Sequence, residues 1–148
     1  IGDIGSGGGL PGIPLASALP DIEFVLVERM SKRCAFLENA AAILGLKNVS
    51  VLNKEAEKVK KESIDIAVFR AFRPLDKTMI KTLLDLIPSD GVLAAYKAKK
   101  EKIIEEMSAI GYEEKDYDLK KLEVPFLTDT SSDESRERNL VIVSKSLA

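Results

Sequence analysis

Histidine and tryptophan are absent from the 148 residues, and cysteine occurs once, at position 34. Without imidazole the chain lacks the usual general base of hydrolases and the commonest transition-metal ligand. A single thiol excludes an internal disulfide and leaves too few sulfur ligands for zinc, so no metal is expected. Cys34 itself reads as a small buried hydrophobe in a helix. Aromatic residues make up 5% of the chain, which excludes a platform on which many bases stack. No apolar run approaches the roughly 20 residues that span a bilayer, and no basic-then-apolar stretch opens the chain. A membrane partner is therefore not expected, and the reading is of a cytoplasmic protein.

Charge of one sign is also lacking. With 22 basic and 24 acidic side chains the net charge is −2, so no global positive field draws the chain to nucleic acid, and any such binding requires a local patch. What the chain does have is 45% apolar and 31% charged residues in 148 positions, enough for one core and one domain over 1–148. A monomer is expected.

Apolar runs of strand length alternate with helical patterns. The opening Ile1-Gly2-Asp3-Ile4-Gly5 reads as the end of a buried strand whose beginning is cut away, so the domain is expected to be truncated at its N-terminus. A short helix follows Pro11 to about Leu19, then a strand at Phe24–Val27 ending on Glu28. Ser31 is placed to cap a helix whose apolar stripe is Phe36, Leu37, Ala40, Ala41 and Leu44, stopped by Gly45. Strands are predicted at Val49–Leu52, Ile64–Phe69 and Gly91–Tyr96, and helices at about Leu75–Ile87 and Lys99–Ile110. A closing hairpin is expected from Leu122–Phe126 and Leu140–Ser144, joined by a polar loop over Thr128–Glu137. This order implies an α/β fold: a doubly wound, mostly parallel sheet covered on both faces, with a C-terminal antiparallel hairpin and ligands beyond the C-terminal strand ends.

The glycine cluster Gly5-Ser6-Gly7-Gly8-Gly9 follows a strand and precedes a helix, the context in which such a loop receives a ligand. Glycine permits positive φ and close backbone approach, and the helix N-terminus behind it favours an anionic group. Glu28 stands at the end of the next strand, near the spacing at which an acid grips the two hydroxyls of a ribose. Together they point to an adenosine-type cofactor, either a dinucleotide or S-adenosylmethionine. Two features favour the methyl donor: Asp3 stands two residues before the first glycine of a G-x-G-x-G run, and the sheet ends in a predicted β-hairpin.

The stretch from Asp3 through Gly9 to Leu10-Pro11-Gly12-Ile13-Pro14-Leu15-Ala16, with Ser31-Lys32-Arg33, Phe36-Leu37 and Arg70-Ala71-Phe72, resembles the bacterial 16S ribosomal RNA guanine-N7 methyltransferase family RsmG, formerly GidB. The likeness runs from residue 3 to the final strand at Arg138–Val143. It implies a class I, Rossmann-like methyltransferase fold that methylates N7 of a guanine in 16S ribosomal RNA, with the RNA or the small subunit as partner. It also implies that S-adenosylmethionine is held by Gly5, Gly7 and Leu10, by Glu28 at the ribose, by Ala56-Glu57 and by Arg70. By the same likeness Lys32, Arg33 and Lys97 match basic positions that face the RNA or the target guanine. The chain departs from the family at Glu55, where an arginine is usual, at Asn139, where histidine is common, and in lacking the family's helical N-terminal segment.

Guanine N7 offers an exposed lone pair and no proton, so attack on a sulfonium methyl group needs alignment more than a base. No catalytic acid, base or nucleophile is nominated. Arg29, Lys32, Arg33, Arg70, Arg73, Lys97, Lys99 and Lys100 all follow strand ends and should gather at the cofactor mouth. Lys102 and Glu106 sit at helical pair spacing, which suits a salt-bridged surface for the helix lysines. Phe72 or Tyr96 is positioned to stack on a guanine. Asp65 reads as structural. The competing functions are an NAD-dependent oxidoreductase and a non-catalytic RNA-binding domain that keeps the fold.

Overall fold

The computed structural model describes residues 1–70, 75–125 and 137–147. Its strands are β1 (Gly2–Ile4), β2 (Phe24–Glu28), β3 (Val49–Asn53), β4 (Ile66–Arg70), β5 (Val92–Lys97), β6 (Asp118–Lys121) and β7 (Asn139–Ser144), and its helices are α1 (Gly12–Ala18), α2 (Ser31–Ile43), α3 (Lys77–Leu86) and α4 (Lys100–Ile110). The sheet order is β3-β2-β1-β4-β5-β7-β6. The first five strands are parallel, and β7 inserts antiparallel between β5 and β6. The order reverses between β1 and β4, so their C-terminal ends open a crevice where ligands bind in such sheets.

Strand character follows burial. β2 carries the continuous run Phe-Val-Leu-Val and is covered on both faces, whereas β7 alternates buried and half-buried residues. Register places Ala67, Phe69, Leu93, Ala95, Val141 and Val143 on one face, where they pack with Met79, Leu83, Ile103 and Met107 of α3 and α4. On the opposite face α1 lies over Asp3 and Leu26. Asp76 caps α3, its carboxylate accepting the Met79 N–H at 2.7 Å, and the buried Asn48 amide donates to the carbonyls of Ala16, Leu19 and Ile22 where α1 ends.

Three expectations about these elements need correcting. Ser31 does not cap α2: Met30 holds the cap position without a side-chain bond, and Ser31 Oγ donates to Asn53 Oδ1 at 3.0 Å. The inward row of α2 is Cys34, Leu37 and Ala41, while Phe36 and Leu44 stay exposed at 55% and 57%. Phe36 lies two residues from Cys34, more than half a helical turn round, so it points away from the sheet. The first hairpin strand is not Leu122–Phe126 but Asp118–Lys121. An edge strand is held by backbone pairing to β7 and carries charge outward, so its polarity hid it, and Pro125 disfavours pairing in the segment first chosen. Most of the loop over Thr128–Glu137 lies outside the described residues.

The sheet is also not covered evenly. Ile66, Val92, Ala94, Tyr96, Leu140 and Ile142 share the α1 side of the sheet, and none of them is fully buried. The apolar face over β4, β5 and β7 is thus half open among the described residues. Helices stand on both faces as expected, and on the α1 side Leu26 and Val68 are buried, but the cover is looser over β5 and β7.

Candidate functional site

Asp3 organises the loop after β1. Its side chain is fully buried, and Oδ2 accepts hydrogen bonds from Ser6 Oγ at 2.7 Å and from the Gly12 N–H at 3.0 Å. These bonds fasten Ser6 of the glycine cluster and the first residue of α1 to the strand the cluster leaves. Gly5, Gly7 and Gly9 have φ of 70°, 57° and 87°, values that residues with a Cβ adopt at a cost. Asp3 Oδ1 is buried and has no protein partner.

Burial raises the Asp3 carboxyl above its ordinary value of 3.8, partly offset by the bonds from Ser6 and Gly12 and by the nearby Arg70 charge. A raised folded value means that the native state binds this proton more tightly than the unfolded chain. The contribution is therefore present in full below 3.8 and is lost as pH rises through the raised value. Asp3→Asn keeps an acceptor for Ser6 and Gly12 and cannot titrate. Urea midpoints collected from pH 4 to 8 should show a shallower fall toward neutral pH in this variant, and parallel profiles would refute the assignment.

Glu28 closes the other side. Only 4% of it is exposed; Oε2 accepts the Gly7 N–H at 3.0 Å and Oε1 accepts the Met30 N–H at 2.9 Å, with Arg33 Nη1 3.8 Å from Oε2. Its backbone carbonyl accepts from Cys34 Sγ and Asn53 Nδ2, which holds the end of β2 to α2 and β3. Burial and the charge of Glu28 raise the Cys34 thiol, so this cysteine stays neutral and packs as the sequence suggested.

Around these groups lies a cavity of about 360 Å³. The structure brings Gly5, Gly7, Leu10, Glu28, Ala56 and Arg70 together in its wall, with Arg33 at its mouth. Glu57 is exposed and outside the lining, one turn position beyond Ala56. Lys32 is exposed on the first turn of α2. Lys97, expected to face RNA, is mostly buried and joined to Glu106 instead, at 2.7 and 3.0 Å. Lys102 correspondingly pairs with Glu105 at 2.8 Å rather than with Glu106. Phe72 and Arg73 lie outside the described residues, and Tyr96 is half-buried on the open face.

Sequence reasoning missed Lys54, which lines this cavity and a second one of about 540 Å³ beside it, bounded by Arg29, Asn53, Glu55 and Lys58. The same signal that selected Arg29, a cation directly after a strand end, would have found it. Glu55 stands at the wall of both cavities and pairs with Lys58 at 3.0 Å. Arg29, Lys32 and Lys54 make no ion pair among the described residues. The mouth on the β2–β3 side is therefore cationic although the molecule as a whole is not. Among the described residues no cluster of metal-ligating side chains occurs, and no helix is long and apolar enough to cross a membrane.

The family model described as GidB, rRNA small subunit methyltransferase G, matches residues 1–140. The ribosomal RNA small subunit methyltransferase G of Treponema denticola is 45% identical over 150 aligned residues that cover 98% of this chain and 56% of the relative. The protein of the same name from Brachyspira hyodysenteriae is 38% identical, covering 96% of this chain and 65% of its own length. The chain thus spans little more than half the length of the Treponema protein. Among solved structures, a SAM-dependent methyltransferase from Aquifex aeolicus superposes with a TM-score of 0.68 at 16% identity, covering 96% of this chain and 79% of that one. An rRNA methylase from Streptococcus thermophilus gives 0.61 at 18%, covering 97% and 84%. The fold is that of class I methyltransferases, as the strand order with its antiparallel β7 indicates.

Proposed function

Because the chain belongs to the rRNA small subunit methyltransferase G family, we propose that it is the cofactor-binding and methyl-transferring part of an enzyme that modifies N7 of a guanine in 16S ribosomal RNA, in the bacterial cytoplasm. The observation that carries this reading is the convergence of the glycine loop, Glu28 and Arg70 on one cavity at the reversal of strand order. The residues suit S-adenosylmethionine. Three positive-φ glycines leave the backbone open to close approach, and no atom beyond its neighbours lies within 4 Å of a Cβ placed on Gly8. In the wall of the same cavity Glu28 offers a carboxylate to paired hydroxyls.

When bound, S-adenosylmethionine supplies an electrophilic methyl group. The chain's own contribution is placement. Glu28, held in place by the Gly7 amide, takes the ribose end of the cofactor, while Leu10 and Ala56 line its apolar surroundings. Arg70, at the end of β4, orients the charged end. No residue need remove a proton, because N7 has none, and the lack of histidine agrees with that chemistry. Lys32, Arg33, Arg29 and Lys54 take the phosphates that flank the target base. Lys97, committed to Glu106, is not part of that contact.

Calorimetric titration of this chain with S-adenosylmethionine, and in parallel with NAD, tests the cofactor. Saturable binding of the methyl donor alone is expected. Arg70→Ala should weaken it about tenfold or more, the loss of one charge-assisted hydrogen bond. Methylation of 16S RNA by the full-length family polypeptide, read as N7-methylguanine by mass spectrometry, tests the reaction. Binding of NAD, or RNA binding without methyl transfer, would decide for one of the competing readings.

A further inference from the structure

Lys97 ends β5 on the face that α3 and α4 cover, and its ammonium meets Glu106 of α4, with 19% and 24% of the two side chains exposed. The Glu106 carboxylate does more than neutralise it. Oε1, 3.0 Å from the ammonium, also accepts the backbone N–H of Leu75 at 2.8 Å. Leu75 is buried and directly precedes Asp76, the residue that caps α3. Residues 71–74 join Leu75 to Arg70, which ends β4 in the cavity wall and pairs in register with Tyr96, the neighbour of Lys97.

One carboxylate therefore ties three elements together: the end of β5, the middle of α4 and Leu75, which precedes the cap of α3. We infer that Glu106 is a positioning residue for the site. By holding the Leu75 amide and the Lys97 ammonium together, it fixes the start of α3 to the end of β5, whose Tyr96 pairs in register with Arg70, and so keeps Arg70 at the cavity wall. This rests on the methyltransferase reading of the cavity. Asn139 supports the same corner, its amide donating to the carbonyl of Ala98 directly after Lys97 and to Glu137. A buried pair can be merely structural, since desolvation offsets much of its attraction. The distinguishing feature is the third partner, a backbone N–H five residues beyond Arg70.

The test uses this chain with Glu106→Ala, Glu106→Gln and Lys97→Met, and measures S-adenosylmethionine affinity well below each melting temperature together with amide exchange at Leu75. Glu106→Ala should raise the dissociation constant about tenfold, as misplacement of a binding group does, and accelerate exchange at Leu75. Glutamine still accepts from both donors and should restore affinity to within about twofold of the parent. Lys97→Met should fall between the two. An alanine variant that melts earlier but binds as the parent does would overturn the proposal. Should it fail to fold, the comparison of Glu106→Gln with Lys97→Met decides, and parity of Lys97→Met with the parent would overturn it equally. The exchange rate at Leu75 separates the two readings. A parent that binds no cofactor counts against the proposed function, whereas unchanged exchange in the alanine variant counts against the tie itself.

Discussion

Gly12→Ala should lower the melting temperature by about 3 to 10 °C, the range expected when one extra carbon is forced into a packed site in a chain of this size. A Cβ at Gly12 would collide with Leu26 Cδ2 and stand 2.7 Å from Asp3 Oδ2. Neither neighbour has room to yield, because Leu26 and Asp3 are both fully buried. Pushing α1 outward would break the 3.0 Å bond from the Gly12 amide to Asp3, and with it the anchor of the glycine cluster. Stability and cofactor affinity should therefore fall together, the latter by about tenfold for one lost charge-assisted bond. Gly8→Ala is the matched control for stability. Nothing lies within 4 Å of its added carbon, so it should melt as the parent does. Equal melting of parent and Gly12→Ala by scanning calorimetry would mean that the α1–β1 contact is looser than described.

Glu28→Gln, nominally conservative, should abolish most cofactor binding. Each carboxylate oxygen accepts a backbone N–H, from Gly7 on one side and Met30 on the other. An amide can satisfy only one of them. Whichever way it turns, its NH₂ faces a second donor in a site that is 4% exposed, at a cost of about 1–3 kcal/mol for the group left unpaired. The negative charge offered to the ribose hydroxyls is lost as well, so a rise of about thirtyfold or more in the dissociation constant is expected. Glu57→Gln provides the contrast, since Glu57 lies outside the cavity and its substitution should change affinity less than twofold, roughly 0.4 kcal/mol. If both variants bind alike, the ribose is not held at Glu28.

What was legible in the sequence was local. The glycine loop, Glu28 and Arg70 are each marked by their place after a strand, and strand ends gather in space whenever the sheet is parallel. Lys97 carries the same mark yet is drawn away by Glu106, a partner on the following helix that no strand-end rule anticipates. Lys102 and Glu106 satisfied helical spacing, but tertiary contact gave Glu106 a closer cation. Asn48 bonds to carbonyls 26 to 32 positions earlier, a relation that periodicity cannot carry. The β6 strand was misplaced because Asp-Leu-Lys-Lys has edge polarity whereas Leu-Glu-Val-Pro-Phe has the apolar look of a core strand.

The half-open face over β4, β5 and β7 has a thermodynamic counterpart. Ile66, Val92, Ala94, Leu140 and Ile142 keep part of their hydration in the folded chain, so less apolar surface is newly wetted when it unfolds. The heat capacity of unfolding is then expected to lie at or below the low end of the usual range of about 12–15 cal/mol/K per residue. The curve of stability against temperature is correspondingly flatter, and the urea dependence shallower, than for a sheet sheathed on both sides.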